Sequence, residues 1–112
     1  MMLPQETTNR ITGPDSATLH FYLQPELFWF KGHFPQRSIL PGVTQIHWAL
    51  HYATEIFSIN HSFSSIDMVK FQLPLPPKEH ITLMLNWDSE KSKLSFQYQC
   101  NGRTASSGRM SL

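Results

Sequence analysis

The sequence holds one cysteine, Cys100, no long unbroken apolar run, and almost no net charge. Each shortage excludes something. A lone thiol forms no intramolecular disulfide and fits a reducing compartment, and its place in an alternating apolar run reads as a buried structural thiol rather than a nucleophile. Nine Lys plus Arg against eight Asp plus Glu give a formal charge of +1. That leaves no sequence-wide field for gripping nucleic acid, so any basic recognition must be a local patch. No stretch reaches the roughly 18 apolar residues of a membrane-crossing helix, and the opening MMLPQETTNR has neither an apolar h-region nor a small-residue cleavage site. The expected location is the cytoplasm, without membrane insertion. Internal repeats and low-complexity tracts are absent as well. What is present is 40% apolar and 12% aromatic residues in a chain of 112, enough for one packed core and one domain spanning 1–112.

Residues 1–15 are polar and carry Pro4, Gly13 and Pro14, which predicts a loosely ordered start. From Ala17, Leu19, Phe21 and Leu23 alternate with Thr18, His20 and Tyr22, the period of a half-buried strand. Leu27 to Phe34 is aromatic-rich and runs into a loop punctuated by Gly32, Pro35, Pro41 and Gly42. The period then changes. Val43, Ile46, Leu50, Ala53 and Phe57 fall at helical spacing and predict one helix over about 41–58, with Pro41 suited to its first turn. Trp48, Ala49, Tyr52 and Ile56 widen the apolar surface, leaving a polar arc of Thr44, His47, His51, Thr54 and Glu55. Strands follow at about 64–72, 81–87, 94–100 and 103–111. The connections are short: 88–93, and Asn101-Gly102 with its type I′ signal. Pro74, Pro76 and Pro77 bend the chain after the first of these strands. A mostly buried helix followed by an antiparallel meander is an α+β architecture, with a curved antiparallel sheet wrapped around one long central helix.

The segment Phe30-Lys31-Gly32-His33-Phe34-Pro35-Gln36-Arg37-Ser38-Ile39-Leu40-Pro41-Gly42-Val43 closely resembles the active-site signature of the 3-hydroxyacyl-[acyl carrier protein] dehydratases. In that family GHFP, a short spacer, a hydrophobic pair and PGV open the central helix of a hot-dog fold. Lys70-Phe71-Gln72-Leu73-Pro74-Leu75-Pro76-Pro77 is similar to the family's downstream strand and proline bend, so the likeness covers about residues 19–86. Chain length and PGVTQIHWAL place it nearest the short dehydratases of aryl polyene pathways. The resemblance implies removal of water from a 3-hydroxyacyl thioester, in fatty acid or aryl polyene type biosynthesis. It also implies acyl carrier protein as partner, a homodimer, and neither metal nor bound cofactor, the substrate riding on the carrier's phosphopantetheine arm.

That elimination asks for three groups: a base for the C2 proton, a donor for charge growing on the thioester oxygen, and an acid for the departing C3 hydroxyl. The resemblance assigns the first to His33, whose neutral imidazole accepts a proton near physiological pH. Gly42, opening the helix, offers a backbone N–H at the positive end of the helix dipole. The same Pro41-Gly42 pair also reads as an ordinary helix-start turn. At the family's acidic position this chain has His47. A protonated imidazole can donate to the leaving hydroxyl, and His51 and Glu55, spaced four apart beyond it, suggest a relay along the polar arc; a plain solvated face is the alternative. A shared metal on His47 and His51 is disfavoured, since Trp48 stands where a zinc-protease motif needs Glu. Phe34, Pro41 and Val43 are the expected substrate-binding residues, with Lys31 and Arg37 toward the phosphate arm. Lys70 and Lys78 extend that basic patch; the alternative for any of these four residues is a solvated side chain that keeps the surface soluble. Trp29 and Phe30 read as core or interface aromatics, which is also the alternative reading of Phe34, since the family's acyl tunnel runs along the dimer interface.

Two other readings compete. One is a hot-dog thioesterase, which hydrolyses the same linkage with a carboxylate and water; GHFP with PGV argues against it. The other is a catalytically silent acyl-binding or partner subunit, suggested by the missing carboxylate at position 47.

Overall fold

The structure, a computed structural model, describes residues 2–28 and 39–112. Its long strands grow from period-two alternation. In β3 (Ser16–Tyr22) Ala17, Leu19 and Phe21 are buried while the intervening side chains are half-exposed. In β5 (His80–Asp88) Ile81, Leu83 and Leu85 point inward, and in β6 (Lys93–Cys100) Leu94, Phe96 and Tyr98 do. β4 (Ser65–Phe71) and β7 (Arg103–Ser111) complete the principal antiparallel sheet. Two short strands, β1 (Gln5–Glu6) and β2 (Ile11–Thr12), both lie on β3. The sheet runs β1-β3-β5-β6-β7-β4, with β2 off this path.

The hairpins follow their turn chemistry. Asn101 and Gly102 both take positive φ, 53° and 74°, as a type I′ turn requires. Asp88 Oδ1 accepts from the N–H groups of Glu90 and Lys91, closing the β5–β6 turn. β6 and β7 lose register between Tyr98 and Gln99, leaving Ala105 as the extra residue of a bulge. Its carbonyl accepts from Gln72 and Leu73 N–H just beyond β4, at 2.8 and 3.0 Å.

The sheet curves around one helix, α1 (Gly42–Phe57). Trp48, Ala49, Tyr52 and Ala53 are its buried apolar residues, and Trp48 and Tyr52 meet Phe21 of β3 at centroid separations of 6.4 and 5.1 Å. Each fully buried large side chain of this core contributes roughly 1.5–3 kcal/mol by leaving water. The helix ends at Ser58 in the left-handed region. An α+β fold with one helix inside a curved antiparallel sheet matches the expectation.

Three details differ from it. Residues 2–15 are not loose: β1 and β2 pair with β3, Pro4 is buried, and the buried Trp48 indole N–H donates to the Met2 carbonyl at 3.1 Å. Backbone pairing to an existing edge supplies order that hydrophobicity does not advertise. Val43, counted in the apolar face, is 61% exposed, and polar Gln45 is buried instead. The aromatics at 48 and 52 decide which side meets the sheet. Cys100 is half-buried rather than buried, at the sheet margin beside Glu79; burial and the Glu79 charge raise its thiol pKa.

Candidate active site

The start of α1 gives the expected site its fixed point. Pro41 is the N-cap with extended backbone (φ −60°, ψ 146°), so its ring stands just ahead of the first turn rather than inside it. The first intrahelical bond runs from Gln45 N–H to the Pro41 carbonyl, 3.1 Å. The amides of Gly42, Val43 and Thr44 therefore precede any intrahelical acceptor. Among the described residues no side chain caps them, and the first turn holds no acidic residue. This end carries roughly half a positive charge, a setting that favours an oxygen gaining negative charge.

Gly42 makes room there for an aromatic ring. A Cβ at this position would sit 2.5 Å from Cζ of Phe71 and 3.0 Å from both Cε atoms, so glycine lets the last side chain of β4 lie against the helix start. Val43 points outward beside it, 61% exposed.

One turn in, Gln45 is 3% exposed and fully engaged. Its Nε2 donates to the Leu40 carbonyl at 3.1 Å, its Oε1 accepts from Ser106 Oγ at 2.6 Å, and its backbone carbonyl accepts from the Tyr98 hydroxyl at 2.7 Å. Complete burial drives the Tyr98 pKa well up, so the phenol remains a donor. Sequence reasoning overlooked Gln45. The available signal was its spacing: positions 45, 48, 49 and 52 form one helical stripe with Trp48, Ala49 and Tyr52.

His47 is exposed and lines a shallow groove of about 370 Å³ with Leu50, His51, Thr54 and Glu55. The relay suggested along this arc has a competitor. His51 Nε2 is 3.9 Å from Glu55 Oε2, whereas Glu55 Oε1 takes Arg10 Nη1 at 2.7 Å. Arg10 also bonds Glu6 and lies 5.6 Å from the Tyr52 ring centroid. The carboxylates of Glu6 and Glu55 hold its guanidinium pKa up, while burial first and the Glu6 charge second push Tyr52 up to about 12. A larger hollow, about 720 Å³, is lined by Glu6–Arg10, Thr12 and Ile56. It is polar and contains none of the expected site residues. Among the described residues no three His, Cys, Asp or Glu side chains converge as metal ligands.

The structure thus brings Pro41, Gly42 and Val43 together at the helix start and puts His47 on the exposed side one turn beyond Val43. Lys70 and Lys78 are both exposed, on β4 and in the loop after it. Lys31, His33, Phe34 and Arg37 lie outside the described residues, as do Trp29 and Phe30. No described helix is long and apolar enough to cross a membrane.

Comparison with known proteins identifies the family and the fold. The family described as ApeI-like, ApeI dehydratase, matches residues 8–109. A 3-hydroxyacyl-[acyl-carrier-protein] dehydratase FabZ of Sorangium cellulosum is 34% identical over 94 residues, covering 73% of this chain and 61% of the relative. Another FabZ, from Variovorax paradoxus, is 28% identical over 105 residues, covering 84% of this chain and 65% of the relative. The chain therefore spans less than two thirds of either relative's length. Among solved structures, a chain of the dehydratase heterocomplex ApeI:P from Xenorhabdus doucetiae is 45% identical and superposes with a TM-score of 0.90, covering 98% of this chain and 97% of that one. The fold is the hot-dog fold, and this chain belongs to the ApeI-like dehydratase family.

Proposed function

We propose that the protein dehydrates a 3-hydroxyacyl thioester on acyl carrier protein to the trans-2-enoyl thioester, in fatty acid or aryl polyene type biosynthesis. One observation carries the reading: the uncapped first turn begins at Gly42, inside the PGV that follows GHFP, in a chain that belongs to a dehydratase family. The Gly42 N–H donates to the thioester oxygen as charge builds there. Neutral His33 takes the C2 proton, the C2 electrons form the double bond to C3, and the C3–O bond breaks. The hydroxide leaves as water on receiving a proton from imidazolium His47. Solvent returns one proton to His47 and removes one from His33, which closes the cycle. Phe34, Pro41 and Val43 border the reacting end, and Lys31 and Arg37 meet the carrier's phosphate arm. The chemistry needs no metal or redox group.

The working unit contains a second subunit. β4 is the edge of the sheet with β7 as its only described neighbour, and Ile66, Met68 and Phe71 on it are 43–52% exposed. A long apolar edge of this kind favours association. The family resemblance points to a second copy, whereas the likeness to a chain of a heterocomplex favours a different subunit. A carrier-borne substrate, a single cysteine and the absence of an apolar span fit a cytoplasmic enzyme.

Mass spectrometry of a 3-hydroxyacyl carrier protein incubated with this protein tests the reading. Loss of one water supports dehydration, free acid supports a thioesterase, and no change supports a silent subunit. His33→Ala is expected to abolish turnover without lowering the thermal midpoint; retained activity removes His33 from the mechanism. His47→Glu should keep or raise the rate and His47→Ala should lower it at least tenfold. Equal rates in all three would transfer the acid role to the other subunit.

A further inference from the structure

The residues gathered against the helix start form one set. Phe71, Ser106 and Tyr98 stand opposite one another across β4, β7 and β6 in a single row of the sheet. All three reach the first turn of α1: the Phe71 ring lies against Gly42, Ser106 Oγ donates to Gln45 Oε1, and Tyr98 donates to the Gln45 carbonyl. Gln45 then acts in two ways on the residues ahead of it. Its backbone N–H binds the Pro41 carbonyl, which lies in the same rigid peptide plane as the Gly42 N–H and points opposite to it. Its side-chain amide binds the Leu40 carbonyl, while Leu40 N–H is held by the Leu75 carbonyl at 2.8 Å. Proline at the N-cap has no side-chain acceptor to tie this turn down, which leaves that task to its neighbours.

We infer that Gln45, held by Ser106 and Tyr98, is the positioning residue that aims the Gly42 amide at the thioester oxygen. Gln45 touches no substrate; its side chain acts through the Leu40 carbonyl, which fixes the chain just ahead of the Pro41–Gly42 peptide, while its backbone N–H holds the Pro41 carbonyl as any residue here would. This rests on the dehydratase reading for its catalytic consequence, though the orientation of the amide is a property of the protein alone. The structure also explains why glutamine is the fitting residue: one side must donate to a carbonyl while the other accepts from a hydroxyl, and burial excludes water as a substitute.

The test uses the full chain with whatever second subunit it binds, and two variants. Gln45→Met keeps length and apolar volume but loses both hydrogen bonds; Ser106→Ala removes only the support and is the milder change. With 3-hydroxyacyl carrier protein, kcat is expected to fall at least tenfold in Gln45→Met and about threefold in Ser106→Ala, with KM within twofold in both. In Gln45→Glu a protonated carboxyl donates to the Leu40 carbonyl and a carboxylate does not, so its kcat relative to the parent should rise as pH falls. The Gly42 amide is read independently by NMR of ¹⁵N-labelled protein without substrate. Its resonance should shift in Gln45→Met. An unmoved Gly42 amide in a folded Gln45→Met protein, or an unchanged kcat, overturns the inference. A parent protein that fails to dehydrate sinks the activity instead, and the amide measurement still decides the positioning.

Discussion

Glycine at position 42 answers two demands at once, and they can be separated by substitution. Alanine is the better helix former by up to about 1 kcal/mol, less at the first helical position, but its Cβ would press into the Phe71 ring. Gly42→Ala is therefore expected to lower the thermal midpoint in the parent and to raise it in a Phe71→Ala background. A calorimetric double-mutant cycle reads the sign change, and additive effects would mean that the ring contact has no energetic weight. Residues of this kind divide by how much of their role a sequence displays. His33, Gly42 and His47 are visible because a motif fixes their spacing. Gln45 is hidden by its polarity: a glutamine in a helix with a broad polar arc passes for a surface residue until the aromatics on its stripe are seen to face the sheet.

Strands and helix were legible where one face is buried, since alternation and 3.6-residue spacing are direct images of a core. β3, β5, β6, β7 and α1 lie within one or two residues of the ranges predicted. β1 and β2 were not, because two-residue strands carry no period and depend on a neighbour's free hydrogen-bonding groups. The irregularity in β4 was equally hidden. Register shifts between Ile66 and Met68, and the interposed Asp67 accepts from Lys93 Nζ at 2.8 Å and Ser111 Oγ at 2.8 and 3.0 Å. The Lys93 hydrogen bond, then that of Ser111, lowers the Asp67 pKa. A carboxyl more acidic in the folded than in the unfolded chain stabilises the fold above its unfolded value, about 3.9, and loses that contribution as pH falls through the folded value. Asp67→Asn should thus lower the thermal midpoint at about pH 6, with the gap to the parent closing toward about pH 3. A gap independent of pH would assign the effect to packing rather than charge.

For the whole molecule, the least finished surface is the side of the sheet that ends at β4. Ile66, Met68 and Phe71 there, with Val43 and Ile39 beside the helix start, are all more than 40% exposed. Covering them would release water from a continuous apolar area next to the proposed reaction centre. A charge in the middle of this strand is expected to oppose association: Met68→Glu should shift the assembled species toward single chains in light scattering at micromolar protein. Activity should fall with it if the second subunit completes the site. An unchanged molar mass would move the contact to another face.

The bond from Trp48 to the Met2 carbonyl links the protein's interior to its outermost residues. An indole in the middle of the helix is thereby made a witness to events at the chain's beginning. Trimming or peeling away the first strand would strand that N–H without an acceptor, and the Trp48 side-chain resonance would register it before any other part of the molecule had loosened.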